Sequence, residues 1–475
     1  MRRGHLAEAL RTAERAVAGA TACSTAHATL AAILVRLERP AQAEAVLESA
    51  MQCGAGSADA YDALARVATV LGAHERANAL YRQAVAHEPR VARHWYNLAV
   101  SERTVGNLAQ SHSACEQAIA LDGRDYRAYL LRAELQVQTA ASHHVEQLRR
   151  ELARANLTDQ DRVLLGYALG KELDDLERYD EAFAAFALAA SARRRHLAYD
   201  VRGDERKLRR IAEAFPRGTD RAARGLIDSS RFVFIFGLPR SGTTLLERIL
   251  TGLAGVRSNG ETDHFARTLL TAAPSPQAAP GIADVFARAA SVDWDQIAAD
   301  YARRAGGDRE VVIEKQPLNY LYLGAIHRAL PQARLVLVSR PPVDICFAMY
   351  RTLFGAAYQF SYAFADLARY YAAYARLIEH WRAAFGASIH EVRYNDLVSD
   401  PARVGAAAAA ACGLLWRDSA IAIERNATAC LTQSAAQVRR PIYASSRGHW
   451  RHYRAHLGPL IQALRAQKID LCDLD

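Results

Sequence analysis

Residues 57–90 (SADAYDALARVATVLGAHERANALYRQAVAHEPR) and 91–124 (VARHWYNLAVSERTVGNLAQSHSACEQAIALDGR) repeat one pattern at an offset of 34 residues. Tyr61 then meets Trp95, Leu64 meets Leu98, Ala65 meets Ala99, Gly72 meets Gly106 and Ala84 meets Ala118. A further step back reaches Leu30, Leu37, Ala43 and Ala50, and another reaches Ala9 and Ala16. Such a period constrains the fold more than local propensity does, because one unit cannot bury its apolar face alone and must stack on its neighbours.

Small residues recur where paired helices would touch, large apolar ones recur between layers, and a glycine marks the turn between helices. That combination matches the tetratricopeptide pattern and predicts an all-α solenoid. Past Arg124 the register loosens, although Tyr129 and Ala133 still fit. A further unit is expected over 161–190, with Leu165, Ala168, Leu169, Tyr179, Ala182 and Phe186 at helical spacing. The array is therefore placed at 1–195. The arginine-rich stretch 193–210 reads as a solvated connecting helix within a linker at 196–230. The first unit begins without a leading helix, and the exposed apolar face this implies points to self-association, such as a homodimer. Two roles fit the array: capture of a peptide or protein in a concave groove, and a spacer or dimerisation surface.

At 475 residues the chain is too long for one ordinary core, and 51% hydrophobic with 23% charged residues is a globular composition. The opening MRRGHLAEALRTAERA lacks the apolar segment of a secretory signal, and no run approaches the roughly 18–20 apolar residues of a membrane span. A cytoplasmic protein is expected. Cys23, Cys53, Cys115, Cys346, Cys412, Cys430 and Cys472 are scattered without metal-ligand spacing, so reduced and mostly buried thiols are expected. The net charge of +9 comes without a basic tail or an aromatic-interleaved motif, which argues against nucleic acid. Lys171, Lys207, Lys315 and Lys468 are the only lysines in a chain that otherwise writes arginine, so each marks a place where an ammonium is wanted.

At Arg231 the periodicity changes to a short apolar run, Phe232-Val-Phe-Ile-Phe236, followed by Gly237-Leu-Pro-Arg-Ser-Gly-Thr-Thr-Leu-Leu-Glu-Arg-Ile-Leu250. A buried strand, a glycine-containing loop and an amphipathic helix in that order form an anion cradle. The spacing Gly237-x4-Gly242 is that of a P-loop, but Thr243 stands where a nucleoside-triphosphate loop has lysine, and the cation is Arg240 within the loop. This argues against a kinase. Apolar runs at 232–236, 310–314, 335–339 and 388–393 predict a parallel α/β sheet, with functional loops at the carboxyl ends of its strands, where Gly237, Lys315 and Arg340 fall.

The segment PRSGTTLLERIL resembles the 5′-phosphosulfate loop of sulfotransferases, in the version used by protein-tyrosine sulfotransferases and bacterial tetratricopeptide–sulfotransferase fusions. The resemblance continues through Asn259-Gly-Glu-Thr262, Glu314-Lys-Gln-Pro-Leu-Asn-Tyr320, Leu335-Val-Leu-Val-Ser-Arg-Pro-Pro-Val-Asp-Ile-Cys346, Val392-Arg-Tyr-Asn-Asp-Leu397 and Gln437-Val-Arg-Arg-Pro-Ile-Tyr443 with Gly448-His-Trp450. It implies a P-loop-like sulfotransferase domain over 231–475 that uses 3′-phosphoadenosine 5′-phosphosulfate as donor, without a metal, and sulfates a hydroxyl acceptor such as a peptide or protein tyrosine. Arg240, with Pro239, Ser241, Gly242, Thr243 and Thr244, would bind the 5′-phosphosulfate. Glu261 matches the catalytic base, with His264 one helical turn on as its rival. Lys315 matches the catalytic lysine, and Glu314 beside it reads as structural. Arg340 matches the arginine on the 3′-phosphate, and Ser434 matches a serine near the reacting centre. Arg439, Arg440, Arg447 and Trp450 are candidates to close over the nucleotide.

The chain departs from that pattern at three places: Pro341-Pro342 replaces Asp-Pro, Ala348 replaces a serine on the 3′-phosphate, and Asn395 replaces a glutamate. One lost charge-assisted hydrogen bond lowers donor affinity by about one to two decades. The alternative reading is a tetratricopeptide scaffold whose second domain binds nucleotide without turnover. The aromatic segment 354–364 reads as core or as an acceptor lid, and Tyr370, Tyr374, Leu377 and Trp381 form one buried helix face.

Overall fold

The computed structural model describes residues 3–19, 25–37, 39–53, 56–216, 225–272, 292–307, 310–426, 428–432, 434–471 and 474. These divide into two compact units, Met1–Ala155 with Ala427–Cys430, and Asn156–Asn426 with Leu431–Asp475.

The first unit is helical: α1 (Arg3–Ala18), α2 (Thr25–Arg36), α3 (Pro40–Cys53), α4 (Ala58–Val70), α5 (His74–His87), α6 (Ala92–Val105), α7 (Leu108–Leu121), α8 (Tyr126–Leu135) and α9 (Val145–Leu152). The 34-residue offset survives in the helix starts, Ala58 to Ala92 and His74 to Leu108. Leu64, Ala65, Leu98 and Ala99 are buried in one core, as their matched positions require. Polar side chains one repeat apart stitch α4 to α6: Arg93 pairs with Asp59, and the Asn97 amide donates to Asp62 at 2.6 Å.

In the second unit α10 (Asp159–Asp175) and α11 (Tyr179–Arg195) form a helical hairpin. Gly170 lets them approach, since a Cβ there would lie 2.6 Å from the Phe186 ring. The hairpin packs on the α/β part: the Tyr167 hydroxyl donates to the Tyr350 carbonyl at 3.1 Å, and Arg194 pairs with Asp366 at 2.8 Å. The segment 161–190, which periodicity places in the repeat array, thus shares a compact unit with the sheet. The arginine-rich connector behaves likewise. Within α12 (Val201–Ala214), Val201, Leu208 and Ile211 are buried, and Glu205 accepts both forks of Arg369 from the helix Phe364–Phe385.

Strands β1 (Phe232–Phe236), β2 (Val256–Ser258), β3 (Val311–Lys315), β4 (Arg334–Ser339) and β5 (Ile389–Arg393) make a parallel sheet in the order β2-β3-β1-β4-β5. The four apolar runs are all strands, and β2 is an addition that its three half-buried residues did not announce. The central β1 is wholly buried, which is why its sequence is apolar without alternation. Tyr370, Tyr374, Leu377 and Trp381 are buried as expected. Cys115, Cys346, Cys412 and Cys430 are buried free thiols, and burial pushes those of Cys115 and Cys412 up to about 12. Cys23 and Cys472, and the side chain of Cys53, lie outside the described residues. Among the described residues no helix is long and apolar enough to cross a membrane.

Candidate functional site

The loops after β2, β3, β1, β4 and β5 all contribute to one cleft with about 1010 Å³ of empty space. Parallel strands end together, so residues far apart in sequence arrive side by side in the lateral order of the sheet.

After β1, the Ser241 N–H donates to the Leu238 carbonyl at 3.2 Å and the chain turns sharply into helix α13 (Thr243–Thr251). Gly242 has φ +103°, and a Cβ there would sit 2.5 Å from the Tyr394 ring, so the turn requires glycine. Arg240 itself has φ +71°, a strained conformation for a side-chain-bearing residue, which costs about 1 kcal/mol or more. Its guanidinium donates to Ser434 Oγ at 2.7 Å and to Gln437 Oε1 at 2.9 Å. Burial, then the charges of Arg351 and Arg340, push its pKa down. Three guanidiniums around one space create a field that an anion would relieve.

Next to that loop, β2 and β3 bring two opposite charges together. The Asn259 N–H donates to Ile313 O at 2.8 Å and the Lys315 N–H to Gly260 O at 3.1 Å, which anchors the turn bearing Glu261. Lys315 Nζ, fully buried, lies 2.7 Å from Glu261 Oε1 and 3.6 Å from Glu247 Oε2 of α13. Glu247 is itself held by the Ser258 hydroxyl. Glu261 is 37% exposed and lines the cleft, whereas Lys315 stands behind it.

After β4, Arg340 is braced by the protein. Its Nε and Nη2 donate to Asp344 at 3.0 Å each, Nη2 also reaches the Ser446 carbonyl, and Nη1 donates to the Arg240 carbonyl at 3.2 Å. Its guanidinium lies 4.7 Å over the Tyr394 ring.

Of the residues singled out from the sequence, Pro239, Arg240, Gly242, Thr243, Thr244, Glu261, Arg340 and Ser434 line this cleft. Ser241 does not; it is buried against a neighbouring small cavity beside Ser339 and Tyr374, because the turn points it behind the loop. Arg447 is exposed and donates to Ser399 Oγ at 2.7 Å, outside the cleft lining. Trp450 is core, Arg439 donates to the Asn426 carbonyl, and Arg440 does not line the cleft. His264 also stays out of the lining. Burial, aided by Arg304, lowers its pKa to about 4, which leaves it neutral at pH 7.

Glu314 faces the opposite side of β3 from its neighbour, fully buried near Tyr301 and Asn319, and burial pushes its carboxyl up to about 8. A carboxyl raised above its unfolded value favours the folded state while protonated and loses that advantage as pH rises. Stability should therefore fall between about pH 4.5 and 8 from this group, by about 3 kcal/mol at pH 7 relative to low pH. Glu314→Gln is expected to flatten that slope in melting temperatures measured across the range; an unchanged slope would assign it to other groups.

Sequence reasoning missed Arg351, Thr432 and Ser446, all in the lining, where Phe354 and Tyr358 of the aromatic segment 354–364 and Tyr394 of the stretch 392–397 also stand. Arg351 was within reach, since it follows Ala348 by three positions on one helix face. Thr432 and Ser446 are polar loop residues with no local signal.

Residues 233–418 match the family model described as Sulfotransferase family. An uncharacterized protein of Aquifex aeolicus (strain VF5) is 26% identical over 373 residues, covering 76% of this chain and 49% of the relative, so the chain spans about half that relative's length. The chain is also similar to the sulfotransferase domain of the Synechococcus PCC 7002 olefin synthase (20% identity, TM-score 0.35, 50% of this chain and 95% of that one). A sulfotransferase of Mycobacterium tuberculosis H37Rv is similar at 15% identity and TM-score 0.29, over 71% of this chain and 99% of that one. The loop after β1, the Glu261 turn and the Arg340 end of β4 all fall inside the stretch, residues 233–418, that matches the sulfotransferase family model.

Proposed function

We propose that the chain transfers a sulfuryl group from 3′-phosphoadenosine 5′-phosphosulfate to a hydroxyl acceptor, with a peptide or protein tyrosine as the leading candidate. The donor supplies the sulfuryl group and leaves as adenosine 3′,5′-bisphosphate. Glu261 takes the acceptor's proton as the acceptor oxygen bonds to sulfur. Arg240 and the first N–H groups of α13 neutralise the 5′-phosphosulfate, with Thr243 and Thr244 adding hydroxyls. Lys315 steadies the Glu261 carboxylate from behind, and its charge acts through space on the negative charge that grows on the bridging oxygen when the S–O bond breaks. Ser434 orients Arg240.

The contact between Glu261 and Lys315 at the edge of the Arg240 cleft carries this reading. Base and cation meet where the anion loop ends, and the cluster of guanidiniums asks for an anion. We further propose that the helices of the first unit are a tetratricopeptide-type array serving acceptor or partner capture, on the strength of the 34-residue offset in helix starts.

Calorimetric titration of adenosine 3′,5′-bisphosphate into the full chain tests the reading. Micromolar binding is expected, and Arg240→Ala should weaken it by about 10–100-fold, the equivalent of lost charge-assisted hydrogen bonds. Absence of binding to the wild type would overturn it, whereas binding without release of the bisphosphate from the donor on any hydroxyl acceptor would favour the scaffold alternative.

A further inference from the structure

A cation of the cleft is held from outside the sulfotransferase-family stretch. Arg351 follows the helix Pro342–Tyr350 and lines the cleft on the same side as Ala348. Its Nη1 donates to Asp174 Oδ2 at 2.5 Å, and Asp174 sits near the end of α10. The other oxygen of Asp174 accepts from His449 Nε2 at 2.7 Å and from the Tyr453 hydroxyl. Burial opposes the charge on Asp174, yet Arg351, His449 and Tyr453 outweigh it and hold the carboxyl well below the usual range. Asp174 therefore stays ionised at any working pH and keeps its grip on Arg351.

The two arginines on this side of the cleft differ in what they have left to give. A guanidinium has five N–H groups. Asp344, Ser446 and the Arg240 carbonyl take all of those on Arg340 except one Nη1 hydrogen. Arg351 uses Nη1 on Asp174, and its Nε and Nη2 groups meet no protein acceptor among the described residues. At position 348, where the resemblance expects a hydroxyl, there is only a methyl group. Arg351, nearly one helical turn further on, is the side chain with donors to spare.

We propose that the α10–α11 hairpin is a working part of the donor site: Asp174 is a positioning residue that holds Arg351 against the donor's 3′-phosphate. This rests on the sulfuryl-transfer reading above. It also gives a function to a helical pair that the repeat pattern alone would assign to partner binding, and it makes Arg340 a brace for the loop more than a phosphate ligand.

The test compares two ligands, adenosine 3′,5′-bisphosphate and adenosine 5′-phosphate, by calorimetry on the full chain. Wild type should prefer the bisphosphate. Arg351→Ala should weaken bisphosphate binding about 10–100-fold and change adenosine 5′-phosphate binding less than about twofold. Asp174→Asn should erode the same preference by about 5–10-fold, and add nothing in the Arg351→Ala background. Should Asp174→Asn not fold, Asp174→Glu, which keeps the charge but displaces it, reports the same coupling. Equal weakening of both ligands, or an unchanged preference in Arg351→Ala, would overturn the proposal while leaving the sulfuryl-transfer reading intact. A wild type that binds neither ligand would overturn both.

Discussion

Glu261→Gln is expected to lower the rate of sulfuryl transfer by about 10²–10⁴-fold while adenosine 3′,5′-bisphosphate binding stays within about twofold. The amide keeps the size of the carboxylate and cannot accept the acceptor's proton. Glu261 lines the cleft at 37% exposure, and its anchoring by the Asn259 and Lys315 backbone bonds does not involve the side chain, so the turn should survive the change. Lys315 keeps Glu247 as a partner at 3.6 Å. The separation of rate from binding is the diagnostic, and single-turnover release of the bisphosphate with a panel of hydroxyl acceptors measures it. A variant with wild-type turnover would remove Glu261 as base. His264 could not replace it, since it lies outside the cleft lining.

Lys315→Met should produce a double loss. The ammonium is fully buried between two carboxylates, and its removal leaves the largely buried Glu247 without its cation. Breaking such a pair costs on the order of 3 kcal/mol, visible as a lower melting temperature. Turnover should fall by about 10²–10³-fold even at temperatures where the variant is folded, because the Glu261 carboxylate loses its buried countercharge and the field opposing the charge on the leaving oxygen weakens. Lys315→Arg should rescue poorly: a planar fork does not fit a slot shaped for a compact ammonium. Full activity in folded Lys315→Met would limit the lysine to a structural part.

The two variants separate the roles that one contact combines. Glu261→Gln leaves the buried cation paired with Glu247 and removes the base. Lys315→Met keeps the base and removes the charge opposite it. Their joint variant should be little worse than the poorer single one if the pair acts as a unit.

Much of this protein is local information. A five-residue apolar run followed by a glycine turn makes β1, its loop and α13 wherever such a run can be buried, and the 34-residue offset is a property of the string that reappears in the helix starts at Ala58, Ala92, His74 and Leu108. Arg240, Lys315 and Arg340 were legible because loop residues after parallel strands collect at one edge of a sheet, whatever the order of the strands, whereas Glu261 was legible only through the resemblance carried by Asn259-Gly-Glu-Thr262. Which of them touch is another matter. Lys315 reaches Glu261 because β2 pairs with β3. No pattern in three half-buried residues announces β2, so that neighbour relation exists only in the folded sheet. The hairpin α10–α11 repeats the same lesson at larger scale. Its helical spacing is that of a repeat unit, and nothing local separates it from α4–α7. What places it with the sheet is a set of contacts more than 170 residues apart in sequence, Tyr167 on Tyr350 and Asp174 on Arg351, His449 and Tyr453. The sequence by itself determined the elements, the anion loop and the residue types of the site, because those depend on short-range periodicity and backbone conformation. The tertiary structure decided the partners, turned Ser241 and Arg447 away from the cleft and brought Arg351 into it, because burial and charge pairing act between segments that the chain's order does not bring together.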